Sequence, residues 1–121
     1  MSFATQAYAR TSQATGTARE LEAQALLMAA KKLRDVQTNW KGPDQNMEKA
    51  LRFNRQLWTI FMTAVEGDDN PQPREVRQNI RDLAVFVIRQ TFEMQIQPNP
   101  AKLKSLIDIN CNIAAGLAGR A

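Results

Sequence analysis

Apolar residues recur along most of this chain at the three-to-four-residue spacing of amphipathic α-helices. No stretch alternates apolar and polar residues in the way that a half-exposed β-strand does. The spacing is interrupted at Gly42-Pro43, at a proline-rich turn near residue 71 and at residues 97–100, where proline and glycine disfavour a continuing helix. The pattern therefore predicts an all-α protein with helices over residues 17–37, 44–66, 73–95 and 99–115.

The ends of the predicted helices carry residues that suit those positions. Thr17 and Glu20 have the spacing of a capping box, in which each can satisfy a free backbone N–H at the start of the first helix. The second helix starts near Asp44, and Asn99 with Pro100 caps the fourth. The pattern also predicts a short helix over residues 2–13, with Phe3, Ala7 and Tyr8 on one side. Because long helices joined by short loops pack against their neighbours, we expect a compact antiparallel bundle. It would contain four main helices plus a short N-terminal helix, in one domain spanning residues 1–121.

Three polar residues lie within the predicted apolar faces. Asn54 interrupts the face of the second helix, Asn110 lies at the centre of the face of the fourth, and Glu22 continues the face of the first. A buried amide without a partner costs about 1–3 kcal/mol, so such a residue needs a hydrogen bond. Either each side chain contacts water or a loop at an end of the bundle, or Asn54 and Asn110 bond to each other or to backbone near a helix start. Both interpretations give Glu22, Asn54 and Asn110 a structural role.

The third helix is apolar on two sides. Its first face contains Val76, Ile80, Leu83, Val87 and Met94, and its second face contains Val85, Ile88, Phe92 and Ile96. A helix that is apolar all round either lies in the centre of its bundle or keeps one face for a partner. The pattern favours central burial and leaves partner binding open. If a partner binds, the second face is the predicted site.

Trp40 is the other apolar residue in an unexpected place, because it lies in the loop before the second helix. A tryptophan in a loop either closes the end of a core or, when exposed, anchors a partner. Trp40 is therefore a further candidate for partner binding.

The amino-acid composition excludes most kinds of catalytic chemistry. The 121 residues are 44% apolar and 23% charged, which is ordinary for one folded domain. Histidine is absent, which excludes Ser-His and Cys-His nucleophile pairs and imidazole metal ligands. Cys111 is the only cysteine, and no glycine-rich phosphate loop occurs. The sequence therefore predicts a protein that is not an enzyme and has no catalytic residue, cofactor or metal.

The distribution of charged and apolar residues also bears on location. No basic stretch followed by an apolar one is present at the N-terminus, and no apolar run approaches the roughly 20 residues of a membrane span. A single cysteine fits a reducing compartment. We therefore expect a cytoplasmic protein without a membrane partner.

The net charge of +4 permits an acidic partner or a nucleic acid. Arg74, Arg77 and Arg81 share one side of the third helix, and Arg52 and Arg55 lie on the second. Acidic residues lie close by, however, and proteins that bind single-stranded RNA usually add exposed aromatic side chains. The sequence favours a protein partner over RNA.

Four segments of the chain resemble the FlaF family of flagellar biosynthesis regulators, and they occur in the family's order. They are "AYARTSQATGTARELEAQAL", "ALRFNRQLWTIF", "NPQPREVRQNIRDLAVFVIRQT" and "LIDINCNIAAGL". The resemblance implies a cytoplasmic, non-enzymatic chaperone or adaptor that binds flagellin and promotes its synthesis and secretion. It also implies a functional link to FlbT, a post-transcriptional regulator of flagellin mRNA. The alternative is an RNA-associated protein that regulates flagellin mRNA itself.

Overall fold

Four α-helices and one 3₁₀ turn make up the computed structural model, which describes the backbone of residues 3–67 and 72–119 and side chains from residue 18 onward. The helices are α1 (Phe3–Thr38), α2 (Gln45–Glu66), α3 (Arg74–Ile96) and α4 (Leu103–Leu117), with the 3₁₀ turn at Pro100–Lys102. These ranges contain no β-strand. The prediction of an all-α bundle with four main helices is confirmed.

Asn99 caps a helix start as predicted, and Asp44 caps the start of α2. The Asp44 carboxylate accepts a hydrogen bond from the Met47 N–H at 2.9 Å, and the Asn99 amide oxygen accepts one from the Ala101 N–H at 3.0 Å. Between α1 and α2, Gly42 has a φ of 100°, a conformation that favours glycine. The fourth helix differs from the prediction because its first turn is a separate 3₁₀ turn.

The N-terminal part of the chain forms one continuous helix where two helices were predicted. The short helix expected over residues 2–13 is continuous with the first main helix, because α1 begins at Phe3. The predicted start of that helix at Thr17 and Glu20 is therefore wrong, since both residues lie inside α1. The side chains of Phe3, Ala7 and Tyr8, expected on one side of that helix, lie outside the described residues.

The helices pack in the spatial order α3, α2, α1, α4, and neighbours run antiparallel. α1 packs along both α4 and α2, whereas α3 packs mainly on α2. Gln37, near the end of α1, donates a hydrogen bond to the Pro100 carbonyl just before α4, at 3.3 Å. Ala23 and Ala30 of α1 and Ala114 of α4 are buried, and small side chains let helix axes approach closely. One hydrophobic cluster joins buried residues of all four helices.

The expectation that α3 lies in the centre of the bundle is wrong. Its buried side chains, Ala84, Val87, Thr91 and Met94, form a single face. Val76, assigned to the core face by the sequence pattern, is 38% exposed. The pattern missed Ala84 and Thr91 because neither is strongly apolar. The Thr91 hydroxyl tolerates burial by donating to the Val87 carbonyl one turn earlier, at 2.8 Å. Among the described residues, α2 is the one helix that covers α3 extensively, so the opposite side of α3 is exposed there.

Across the described part of the chain, none of the helices combines the length and the apolar character that crossing a bilayer requires.

Candidate functional site

A shallow groove runs between α2 and α3 on the outside of the bundle. It is lined by Arg55, Gln56, Thr59 and Ile60 of α2 and by Ile88 and Phe92 of α3. The two α3 residues belong to the second apolar face identified in the sequence. The groove therefore lies where that face meets α2.

The second face of α3 is an exposed apolar stripe. Val85, Ile88, Phe92 and Ile96 are spaced by three, four and four residues, so they follow one side of the helix. Phe92 is 46% exposed and Ile96 is 84% exposed, while Ile88 is half-buried. Contiguous exposed apolar side chains of this size typically mark an interaction site.

Ile60 adds an apolar side chain to the groove from α2. The spacing of Ile60 along α2 favours a place at the edge of the apolar core face, but the residue is 64% exposed. At about 100° per residue, Ile60 lies about 120° from the buried Asn54 around the helix axis. The core does not extend that far around α2. The only sequence signal for this position was that Ile60 is apolar, and that property does not distinguish a core residue from a groove residue.

Arg55 places a positive charge at the edge of the groove. Its guanidinium carbon lies 5.9 Å from the centroid of the Phe92 ring. An exposed cation–π contact of this kind contributes about 0.5–1 kcal/mol. The contact helps to hold both side chains in place and leaves the guanidinium N–H groups near the groove for an acidic neighbour.

Trp40 lies away from this groove. It is half-buried, packs against the hydrophobic core and lines a separate cleft between α1 and α2 that also includes Phe53. The structure thus places Ile88 and Phe92 in the groove and leaves Val85 and Ile96 on the same side of α3 outside its lining. It does not join Trp40 to them.

The two buried asparagines belong to a hydrogen-bonded network between α2 and α4. Asn54 and Asn110 are both 0% exposed. The Asn110 Nδ2 donates to the Asn54 Oδ1 at 2.6 Å, so the hydrogen bond expected between them is present. The Trp58 Nε1 donates to the Asn110 Oδ1 at 2.9 Å. Sequence reasoning missed Trp58 as the third member, although an indole N–H in a core always needs an acceptor.

Glu22, the third polar residue in the predicted apolar faces, is not buried as the two asparagines are. The side chain is exposed at the rim of a cavity of about 450 Å³ whose lining includes Trp58, Phe61 and Ile113. Glu22 follows the core face of α1 in the sequence, but it lies toward the end of the bundle where solvent reaches it. Partial burial raises the pKa of Glu22, and the positive charge of Arg19 opposes that shift. Glu22 therefore matches the first of the two interpretations, in which the side chain contacts water at an end of the bundle.

Glu22→Gln should leave the protein slightly more stable at pH 7. A carboxyl pKa raised in the folded state means that folding favours the protonated form, so the ionised form at neutral pH costs stability. The gain should shrink as the pH falls through the pKa of Glu22, because the wild-type carboxyl then becomes neutral as well. Thermal melting across this pH range measures the difference, with the exposed Glu20→Gln as the control. A lower melting midpoint for Glu22→Gln at pH 7 contradicts the prediction.

The fold and the groove define a small all-helical bundle protein with an exposed apolar surface on its peripheral helix. A family model described as "Flagellar protein FlaF" matches residues 4–117, which is nearly the whole chain. The chain therefore belongs to the FlaF family of flagellar proteins, as the sequence resemblance indicated. No curated protein and no solved structure matched the chain.

Proposed function

We propose that this FlaF-family protein is a cytoplasmic, non-enzymatic chaperone or adaptor that binds flagellin and promotes its synthesis and secretion. The observation that carries the proposal is the exposed apolar groove between α2 and α3. Ile60 and Phe92 line this groove and are 64% and 46% exposed. Leaving such side chains in water is unfavourable, and a partner that covers them gains the free energy of their burial.

The shape of the groove fits an amphipathic helix. Two antiparallel helices, α2 and α3, form its walls, and apolar side chains follow α3 for three turns from Val85 to Ile96. A partner helix with apolar anchors at positions i, i+3, i+4 and i+7 would pack its apolar face there. Membership of a flagellar family makes flagellin the partner that we propose, with an apolar face of one of its helices held away from water until export.

The positive charge at the groove favours a partner helix of a particular charge. Arg55 is the charged residue that lines it. A partner helix that carries an aspartate or glutamate beside its apolar face would pair with Arg55. Such a pair selects the orientation of the partner more than it strengthens binding.

Titration calorimetry with purified flagellin tests the proposal. We expect binding that persists when the salt concentration is raised, because apolar contacts are not screened by ions. A transcript containing the flagellin mRNA leader should bind weakly and lose its affinity in high salt. Absence of flagellin binding at either salt concentration overturns the proposal.

An RNA-associated role is the alternative function, and it would use the arginines of α2 and α3. Arg52, Arg74 and Arg81 are exposed, but Arg77 is half-buried and Arg55 contacts Phe92. Three exposed guanidinium groups divided between two helices are a weak basis for binding RNA, which requires several phosphate contacts. The functional link to FlbT is then best explained through flagellin, which this protein would bind and remove from the free pool.

Arg74→Gln together with Arg81→Gln separates the two functions. Both side chains are exposed, so we expect unchanged folding and unchanged flagellin affinity. An RNA-binding protein would instead lose affinity for the leader, and the slope of its affinity against salt would decrease by about one for each lost phosphate contact. Calorimetry at two or more salt concentrations measures both quantities. A large loss of flagellin affinity would show that the partner is bound through charge.

A further inference from the structure

A second cleft lies between α1 and α2, next to the loop that contains Trp40. Its volume is about 500 Å³. Apolar side chains of Val36, Ala50 and Phe53 contribute to its lining, and Trp40 lines it from the loop. Phe53 and Arg55 are two residues apart on α2, which separates them by about 200° around the helix axis. The cleft and the groove on α3 therefore lie on different sides of α2.

Three lysines surround this apolar lining: Lys32 from α1, Lys41 from the loop and Lys49 from α2. The Lys32 Nζ lies 5.3 Å from the centroid of the Phe53 ring. Within the described ranges, neither Lys41 nor Lys49 forms an ion pair with an acidic side chain. All three side chains are exposed, so each ammonium group can reach a ligand in the cleft.

The two acidic residues of the cleft already have partners. The Asp44 carboxylate accepts the Met47 N–H at the start of α2. The Asp35 carboxylate lies 3.9 Å from the Lys31 Nζ, on the neighbouring turn of α1. Both carboxylates keep their charge, but the three lysines of the lining outnumber the two aspartates, so the cleft has a net positive charge. Its charge is complementary to an acidic ligand with an apolar part.

We propose that this cleft binds an acidic peptide segment of a protein partner. One aromatic or aliphatic side chain of the segment packs against Phe53 and Trp40, and flanking carboxylates pair with Lys32, Lys41 and Lys49. This site goes beyond the proposed function, because it does not share lining residues with the groove on α3. A protein with both sites can hold a second partner while its groove is occupied.

The aromatic residues of the cleft favour a peptide over single-stranded nucleic acid. Base stacking needs the open face of an aromatic ring. Lys32 covers one face of Phe53, and Trp40 packs against the core. The rings can therefore receive a side chain at their edges more readily than they can stack between bases.

Trp40 provides a direct readout of the cleft. The chain has two tryptophans, and Trp58 is 0% exposed, so a ligand in the cleft changes mainly the fluorescence of Trp40. The probe is a synthetic hexapeptide with one central leucine among five glutamates, titrated into the full-length protein at low salt. Saturable binding that weakens as salt is raised is the expected result.

Lys32→Gln, Lys41→Gln and Lys49→Gln, made together, should weaken binding of this peptide about tenfold, since each exposed ion pair contributes modestly. The matched control changes Arg81, Lys102 and Lys104 to glutamine, which removes the same charge outside the cleft and should leave the affinity within about twofold. Circular dichroism verifies that both variants stay folded. Phe92→Ala should bind the peptide normally, even if it no longer binds flagellin.

Three results would overturn the proposal. If a peptide with glutamine in place of glutamate binds with equal affinity, charge does not contribute to binding in the cleft. Equal losses in the two triple variants show that only the net charge of the protein matters. Tighter binding of oligouridine than of the acidic peptide, abolished by the cleft variant, assigns the site to nucleic acid instead.

Discussion

Phe92→Ala should bind flagellin about thirtyfold more weakly than the wild type, because truncating a large central anchor typically costs about 2 kcal/mol of binding free energy. Phe92 lines the groove beside Ile60, and its ring contacts Arg55. Its exposed fraction of 46% means that folding buries only part of the side chain. The melting midpoint should therefore change little while the affinity, measured by titration calorimetry, falls.

Phe86→Ala is the matched control for this variant. Phe86 lies on the same helix and is 43% exposed, but it does not line the groove. Six residues separate it from Phe92, which places it about 120° away around the helix axis. Its replacement should leave the affinity unchanged. If Phe92→Ala binds flagellin at wild-type strength, α3 is not part of the interface, and if the variant unfolds, Phe92 belongs to the core.

Asn110→Leu should lower the free energy of unfolding by about 3 kcal/mol, because it leaves two buried polar groups without partners. The Trp58 Nε1–H loses its acceptor, and the Asn54 Oδ1 loses its donor. The Asn54 Nδ2 already has no hydrogen-bond partner in the described part of the chain, so Asn54 would be left without a side-chain partner. Such a loss is a large fraction of the roughly 5–15 kcal/mol that stabilises a typical domain.

Urea unfolding followed by tryptophan fluorescence measures this effect. Asn112→Leu is the control, because Asn112 is an exposed residue two positions further along α4. An exposed substitution of this kind usually changes stability by no more than about 0.5 kcal/mol. A loss below about 1 kcal/mol for Asn110→Leu would mean that the network contributes register specificity without net stability, as buried polar groups do in some coiled coils.

Apart from the start of α1, the helix bounds were the most predictable feature of this protein, because local residues determine them. Asp44 and Asn99 cap helices through hydrogen bonds to backbone within three residues. The two apolar faces of α3 were equally visible in the sequence. The sequence did not show which of the two faces is buried, because burial depends on how many helices cover α3. The buried face contains Ala84 and Thr91, which carry a weak apolar signal, so the sequence overestimated the burial of Val76 and missed both.

Only the α3 side of the candidate groove was predictable from the sequence. Val85, Ile88, Phe92 and Ile96 follow from spacing alone, whereas the α2 wall of the groove depends on the angle at which α2 and α3 pack. The sequence by itself determined four helices, their ends except the start of α1, the family of the protein and the presence of an amide inside two apolar faces. Each of these depends on neighbouring residues or on residue order. The tertiary structure alone decided that Trp58 completes the asparagine network, that Glu22 reaches solvent and that α3 lies at the edge of the bundle. Those outcomes depend on distances between helices, which no local pattern of residues specifies.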